Sequence, residues 1–164
     1  MAKSNSFPQF NPDNGLQDIA TYQVGGLESA AHRALRAYKD RCLSKYGLSG
    51  MQWYIIGTIY DSGYKGMRIT DLSKRLGTTL GFMTNSVNLL QSKSILERQN
   101  SSVDSRAKIV VVNDSYRPTC RKIEKDLRAQ LRKTIYKDIT PKELKSYIKT
   151  LQALATIGQD SLKE

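Results

Sequence analysis

The sequence predicts a mainly α fold carrying one small β-hairpin, and three observations predict it. Apolar residues recur at helical spacing from Leu16 to Leu90 and again from Tyr116 to Ala155. Between these stretches the period changes to two short apolar runs, "SIL" at 94–96 and "IVVV" at 109–112, on either side of the polar stretch "SSVDSRAK" at 101–108. Gly, Ser and Thr stand where helices need starts and stops. A chain of 164 residues has room for one domain with a real core, or a compact domain plus extra helices.

Residues 1–15, "MAKSNSFPQFNPDNG", lack the apolar segment of a secretion signal and read as a flexible arm. From Leu16 to Tyr46, Ala20, Val24, Leu27, Ala31, Leu35, Tyr38 and Cys42 form one helical stripe. Gly25 and Gly26 weaken it, by about 1 kcal/mol each relative to Ala, and predict a kink or a second start. Gly47 stops the helix. Ser49 is the expected N-cap of "GMQWYIIGTIYDSG", a strongly apolar helix ending near Ser62-Gly63. "MRI" at 67–69 reads as a short strand, and Thr70 as the N-cap of "DLSKRL", which Gly77 terminates in the left-handed conformation. Thr78 or Thr79 caps the next helix, "LGFMTNSVNLLQSKS". Its apolar face is Leu80, Met83, Val87 and Leu90, and its other face Thr84, Asn85, Asn88 and Gln91. After the two β runs the helical period returns through Tyr116, Cys120, Ile123, Leu127, Leu131 and Ile135. "TPKE" at 140–143 is a capping box with Pro at the first helical position. It opens a last helix with Leu144, Ile148, Leu151, Leu154 and Ala155 on one side.

Charge narrows the partner. Twenty-six Lys and Arg against 15 Asp and Glu give a net charge of +11, which favours a polyanion, most often nucleic acid. The basic excess recurs in residues 66–113 and is densest in residues 117–149. No apolar run approaches the roughly 20 residues of a membrane helix. Cys42 and Cys120 are too few for a disulfide scaffold, and with the single His32 they cannot complete a zinc set. Both read as small buried cysteines, in a reducing and hence cytoplasmic compartment. With no Gly-rich phosphate loop, no Ser-His-Asp set and no metal set, neither an enzyme nor a cofactor is expected.

The middle of the chain is a short helix, a Gly-containing turn, a longer helix and then a hairpin. In such a pair the first helix buttresses the second, so that a rigid rod about 10–12 Å across can enter the DNA major groove. Thr79, Thr84, Asn85 and Asn88 suit that task, since Asn can bond an adenine edge bidentately and a Thr methyl can touch thymine. A polar face that only meets water is the plain alternative. The basic charge and the following hairpin favour DNA. A hairpin placed after such a helix is a wing, whose tip can reach the narrow, negative minor groove. Arg106 is then the probe, with Lys108 beside it. Asp104 repels phosphate, so its expected role is to hold a guanidinium, that of Arg106 or that of Arg98 on the opposite strand. The alternative is a turn-forming Asp and a solvated Arg.

At this point residues 24 to 155 resemble the MarR family of winged-helix transcription regulators. The resemblance rests on "GLSGMQW" leading into the second helix, "ITDLSKRLGTTLGFMTNSVNLL" as the helix-turn-helix, "ILER", "DSRAKIVVV" as the wing and "ITPKELKSYIKTLQAL" as the last helix, in that order and spacing. It implies a winged helix-turn-helix lobe at 47–113, with helices at 16–46 and 114–164 forming a homodimer. It also implies binding of double-stranded DNA at a near-palindromic operator, usually as a repressor, and often release by a small-molecule effector or by oxidation. On the family's pattern Thr78, Thr79, Gly81, Thr84 and Asn85 fall on the recognition helix and its N-terminus, and Asp104 and Arg106 on the Asp-x-Arg motif of the wing. The family often has Arg at the position of Asn85, so a strong phosphate or guanine contact is expected to be missing. It usually has Gly at the position of Ser94, so a different helix-end geometry is expected there. A ligand pocket in this family lies between the dimer helices and the DNA lobe. Tyr38, Tyr46, Trp53 and Tyr54 are candidates to line it, against a plain reading as core. The stripes Ile123, Leu127, Leu131 and Leu144, Ile148, Leu151 are expected to be covered by a twin subunit. The rival reading is a sequence-tolerant architectural DNA-binding protein, and a further one a winged helix that binds protein. A regulator prefers its own promoter to random DNA by a large factor, and an architectural protein does not.

Overall fold

The computed structural model describes residues 21–100 and 108–161. The chain divides at Arg117–Pro118 into two compact units. The first contains α1 (Thr21–Ser44), α2 (Gly50–Asp61), a 3-10 turn (Gly63–Lys65), α3 (Ile69–Arg75), α4 (Leu80–Ser92), β1 (Leu96–Asn100), β2 (Lys108–Val112) and a second 3-10 turn (Asp114–Tyr116). The proposed arm at 1–15 lies outside the described residues. The first helix runs unbroken through Gly25 and Gly26, without a second start. Glycine weakens a helix but keeps its N–H, so the hydrogen-bond ladder survives where proline would break it.

Three helices of this unit end in one way. The chain turns through a left-handed residue, and two backbone N–H groups fold back onto the last carbonyls. At α1 the left-handed residue is Gly47 (φ 66°), with Leu48 N–H on Leu43 O at 3.3 Å and Gly47 N–H on Ser44 O at 2.9 Å. At α3 it is Gly77 (φ 61°), with Thr78 N–H on Ser73 O at 3.0 Å and Gly77 N–H on Lys74 O at 3.2 Å. At α4 it is Ser94 (φ 57°), with Ile95 N–H on Leu90 O at 3.0 Å and Ser94 N–H on Gln91 O at 2.8 Å. The different geometry expected at Ser94 is therefore not found. Serine takes the glycine conformation, and among the described residues it is the only non-glycine residue to do so.

Side chains set the starts of α2 and α4, the latter through Thr79. Ser49 and Gln52 form a reciprocal capping box on α2, and Gly50 N–H also donates to Asp40 Oδ1, which fastens α2 to α1. The start of α3 differs from expectation. Its cap is Arg68, extended and with no side-chain bond, while Thr70 lies inside the helix. Nor is "MRI" a strand. Met67 makes a single antiparallel bridge to Val110, through bonds of 3.0 and 2.8 Å, and the helix begins directly after it. Gly66 makes that approach feasible. Its φ is +59°, and a Cβ there would sit 2.6 Å from Val110 O and 2.7 Å from Val111 Cγ1.

The core of the unit joins Ile55, Ile56 and Ile59 of α2, Leu72 of α3, Met83, Val87 and Leu90 of α4, and the hairpin. β1 and β2 pair antiparallel, with Leu96 opposite Val112 and Asn100 opposite Lys108. All four residues Ile109–Val112 are buried, so β2 reads as a continuous apolar run rather than an alternating one. Leu80, expected on the apolar face of α4, is instead half exposed.

The second unit holds α6 (Pro141–Ser161) and all but the first residue of α5 (Arg117–Thr134). The Thr140–Glu143 capping box forms as expected, with Thr140 N–H on Glu143 Oε2 at 2.7 Å and Glu143 N–H on Thr140 Oγ1 at 3.3 Å. Side-chain and backbone hydrogen bonds from Thr140 hold the Glu143 carboxyl below its usual range. Of the stripe Ile123, Leu127 and Leu131, expected to be covered by a twin, Ile123 and Leu127 are already buried within the single chain and Leu131 is half-buried; Cys120 is buried too. The stripe of α6 is uncovered: Ile148 is 48% exposed, Leu151 45% and Leu154 52%.

Candidate nucleic-acid interface

The predicted site residues gather around α4, which α3 and β1 pack against. They differ in what their polar groups are already doing. Thr79 Oγ1 caps the helix by accepting from Phe82 N–H at 3.2 Å. Thr78 is half-buried and its hydroxyl oxygen is buried without a hydrogen-bond partner among the described residues. Thr84 Oγ1 donates to Leu80 O at 2.9 Å, so mainly its methyl faces outward. Asn85 is exposed and its amide bonds to no described residue.

Asn88 is exposed, but its Oδ1 accepts from Arg98 Nη2 at 2.8 Å. This bond ties the recognition-type helix to the first wing strand. The bond uses one of the two lone pairs of the Asn88 oxygen and fixes its side chain against Arg98. It also gives Arg98 a partner other than the expected Asp104. Lys108 Nζ donates to Asn100 Oδ1, its cross-strand neighbour. Asp104 and Arg106 lie outside the described residues. Gly81 is exposed, has no positive φ, and a Cβ there would meet nothing within 4 Å, so nothing in the fold demands a glycine.

Sequence reasoning passed over two side chains. Phe82 is 45% and Leu89 47% exposed, on the same side of α4 as Asn85 and away from the buried Met83, Val87 and Leu90. The available signal was the absence of any Lys, Arg, Asp or Glu from Leu80 to Ser92. Cations stand around the helix instead. Lys74 and Arg75 close α3, and Lys93 follows α4, its Nζ on Gly47 O at 2.8 Å. Arg117 is a structural cation, bonded to Asp114 Oδ1 at 3.1 Å and set over the rings of Tyr60 and Tyr64.

The four aromatic candidates for a ligand pocket occupy separate environments. Trp53 is core. Tyr54 is exposed beside Lys39, whose Nζ donates to its hydroxyl; burial pushes the Lys39 amine below its usual range, with Asp40 opposing. Tyr38 lies under Arg41 at 4.9 Å and Tyr46 under Lys45 at 5.0 Å. A groove of about 520 Å³ does occur within the second unit, floored by Pro141, Leu144 and Ile148 and rimmed by Arg132, Lys145 and Lys149. Cys42 is half-buried, Cys120 is buried, and both are free thiols. Among the described residues no cluster of His, Cys, Asp or Glu could hold a metal ion, and no helix is long and apolar enough to cross a membrane.

Comparison with known proteins places this geometry. The sequence model of the MarR family matches residues 46–107, which span the helix-turn-helix and the first part of the wing. No curated protein gives a significant sequence match. Solved structures share the fold. A cysteine-to-serine mutant of MarR from E. coli, complexed with operator DNA, superimposes with a TM-score of 0.69 at 20% identity, covering 80% of this chain and 92% of that one. The MepR–DNA complex of S. aureus gives 0.68 at 16% identity, covering 85% and 98%. CouR from Rhodococcus jostii RHA1, bound to p-coumaroyl-CoA, gives 0.72 at 16% identity, covering 86% and 94%.

Proposed function

We propose that this chain, which belongs to the MarR family of winged helix-turn-helix transcription regulators, is a dimeric, sequence-specific repressor that reads a near-palindromic operator. Family membership makes it a regulator rather than an enzyme. One observation carries the specific reading. On a helix buttressed by α3, the neighbouring polar groups of Thr79, Thr84 and Asn88 are bonded inside the chain, while the Asn85 amide stays exposed and uncommitted. The Thr79 cap and the Thr84 back-bond are ordinary helix bonds, the latter repeated at Thr150 and Thr156 of α6. The weight of the reading therefore falls on the exposed Asn85 amide of an uncharged helix flanked by cations. A free amide carried on a buttressed helix has both the donor and the acceptor that an adenine edge pairs with.

The other parts follow in order. Arg106 enters the minor groove beside the recognition helix, pre-positioned by Asp104. The bare stripe of α6 packs against a second copy, since burying it removes apolar surface from water at about 25 cal/mol per Å². Val24 and Leu27 on α1 are exposed as well and belong to the same reading. Two half-sites then lie about one helical turn, roughly 10 bp, apart. A small-molecule effector relieves binding, as suggested by a neighbour in fold that holds p-coumaroyl-CoA. A DNA partner places the protein in the cytoplasm.

The test is selection by the purified full chain from a random-sequence duplex library, followed by footprinting of the enriched sites. An inverted repeat with that spacing, bound at least about 1,000-fold more tightly than random DNA, is expected. Enrichment without a repeat, or equal binding to all sequences, would favour an architectural protein.

A further inference from the structure

The geometry points to Phe82 as a specificity-determining residue that reads the C5-methyl group of thymine, in a half-site whose centre is A·T. The inference rests on the proposed regulator reading and deepens it.

Three observations lead there. First, α4 carries no charged side chain between Leu80 and Ser92. Guanine in the major groove is read chiefly by Arg or Lys on its O6 and N7, and this helix offers neither. Second, Phe82 leaves a large apolar side chain 45% exposed beside the free Asn85. The two residues are three apart on one helix, so their Cβ atoms are about 5–6 Å from each other. At about 3.4 Å per base step they address base pairs one or two steps apart. Phe82 also sits in the first turn of α4, the part of a recognition helix that meets base edges. Third, the residue before it is Gly81, with open space around it and an ordinary φ. Gly81 is the second residue of α4, and no internal contact calls for a glycine there. Outside the chain it has a use, because a bare backbone lets the helix and the Phe82 ring come closer to another surface.

The chemistry of an A·T pair fits this set. Its major-groove edge shows adenine N7 and N6, which an Asn amide bonds in two places, next to one projecting apolar group, the thymine methyl. Phe82 covers that methyl and excludes water from the Asn85 contact. Leu89, two turns further along on the same side, extends the apolar flank. A protein partner on this flank is the competing occupant. The intervening polar Asn85 and the nearby Lys74, Arg75 and Lys93 match a groove edged by phosphates better than an apolar protein surface.

The experiment uses the full chain and duplexes it enriches from a random-sequence library. Failure to enrich any sequence defeats the regulator reading and this inference with it. Enriched half-sites with G·C pairs at the footprinted centre overturn the inference alone. Where the centre is A·T, its thymines are replaced singly by deoxyuridine, which removes only the methyl group and keeps the base pair. The wild-type protein is expected to lose about four-fold in affinity for each contacted methyl, the worth of one buried methyl group. Phe82→Ala is expected to bind thymine and uracil duplexes equally, at the level of wild type on uracil or below it. Asn85→Ala should keep the thymine preference. Phe82 is exposed, so the variant folds, and an unchanged melting temperature verifies this. A wild type indifferent to uracil, or a Phe82→Ala variant that still prefers thymine, overturns the assignment.

Discussion

Helices α4 and α6 both show apolar side chains to solvent, yet they do so in opposite ways. α4 buries one row, Met83, Val87 and Leu90, and leaves Leu80, Phe82 and Leu89 exposed, the last two interrupted by Asn85. α6 leaves uncovered a row at regular helical spacing, Ile148, Leu151 and Leu154, with no polar interruption along it. A continuous row is complementary to another apolar row. An isolated apolar residue beside a free amide is complementary to a surface that alternates the two, which is the edge of a base-paired groove. On the proposed reading, the arrangement of exposed apolar groups, more than their amount, distinguishes the subunit contact from the DNA contact.

The widest break in this comparison comes from charging the α6 row. Ile148→Asp combined with Leu151→Asp should convert the dimer to a monomer by sedimentation at micromolar concentration. Operator affinity should fall by at least about 100-fold, because the two half-sites are no longer linked. A variant that stays dimeric removes α6 from the contact. Gly66→Ala acts on the other region. A Cβ in a left-handed conformation against Val110 O should cost the lobe about 2–4 kcal/mol in urea unfolding, with the dimer contact untouched. A cost below about 0.5 kcal/mol would mean that the 66–110 approach is slack.

Two binding predictions sharpen the α4 side. Asn85→Ala should lose about 1–3 kcal/mol on the selected operator and far less on random DNA. Equal losses on both would make Asn85 a backbone contact. For the wing, Arg106→Ala should lose a similar amount. Asp104→Ala should weaken binding despite the gain in net positive charge, with the double variant little worse than Arg106→Ala alone. Tighter binding by Asp104→Ala would reduce that Asp to a turn residue. The smallest effect is expected at the end of α4. Ser94→Gly relieves a non-glycine residue held at φ 57° and should stabilise the lobe by about 0.5–1 kcal/mol, read as a higher unfolding midpoint.

The sequence made helix ends legible where one residue type dictates one conformation. Gly47 and Gly77 lie where a left-handed turn is needed, and the Ser49–Gln52 and Thr140–Glu143 pairs close their boxes. It was less legible where distant residues decide. Thr70 looks like a cap, but the bridge from Met67 to Val110 holds the chain extended and starts the helix at Arg68's carbonyl. Leu80 fits the apolar period and is exposed all the same, since periodicity gives the direction of a side chain and not what lies opposite it. The same limit applies to the site. The bond from Arg98 to Asn88 joins residues of two different elements, and the periodicity of neither predicts it.

The uncharged α4 has a consequence for how ionic strength acts on the protein. Each phosphate neutralised by Lys or Arg releases condensed counterions, so affinity for DNA falls steeply with salt according to the number of such contacts. On the proposed reading those contacts come from the cations flanking α4 and from the wing, while base edges face a helix that carries no charged side chain. That reading predicts that salt weakens operator binding and random-sequence binding with closely similar slopes, which titrations at several salt concentrations check.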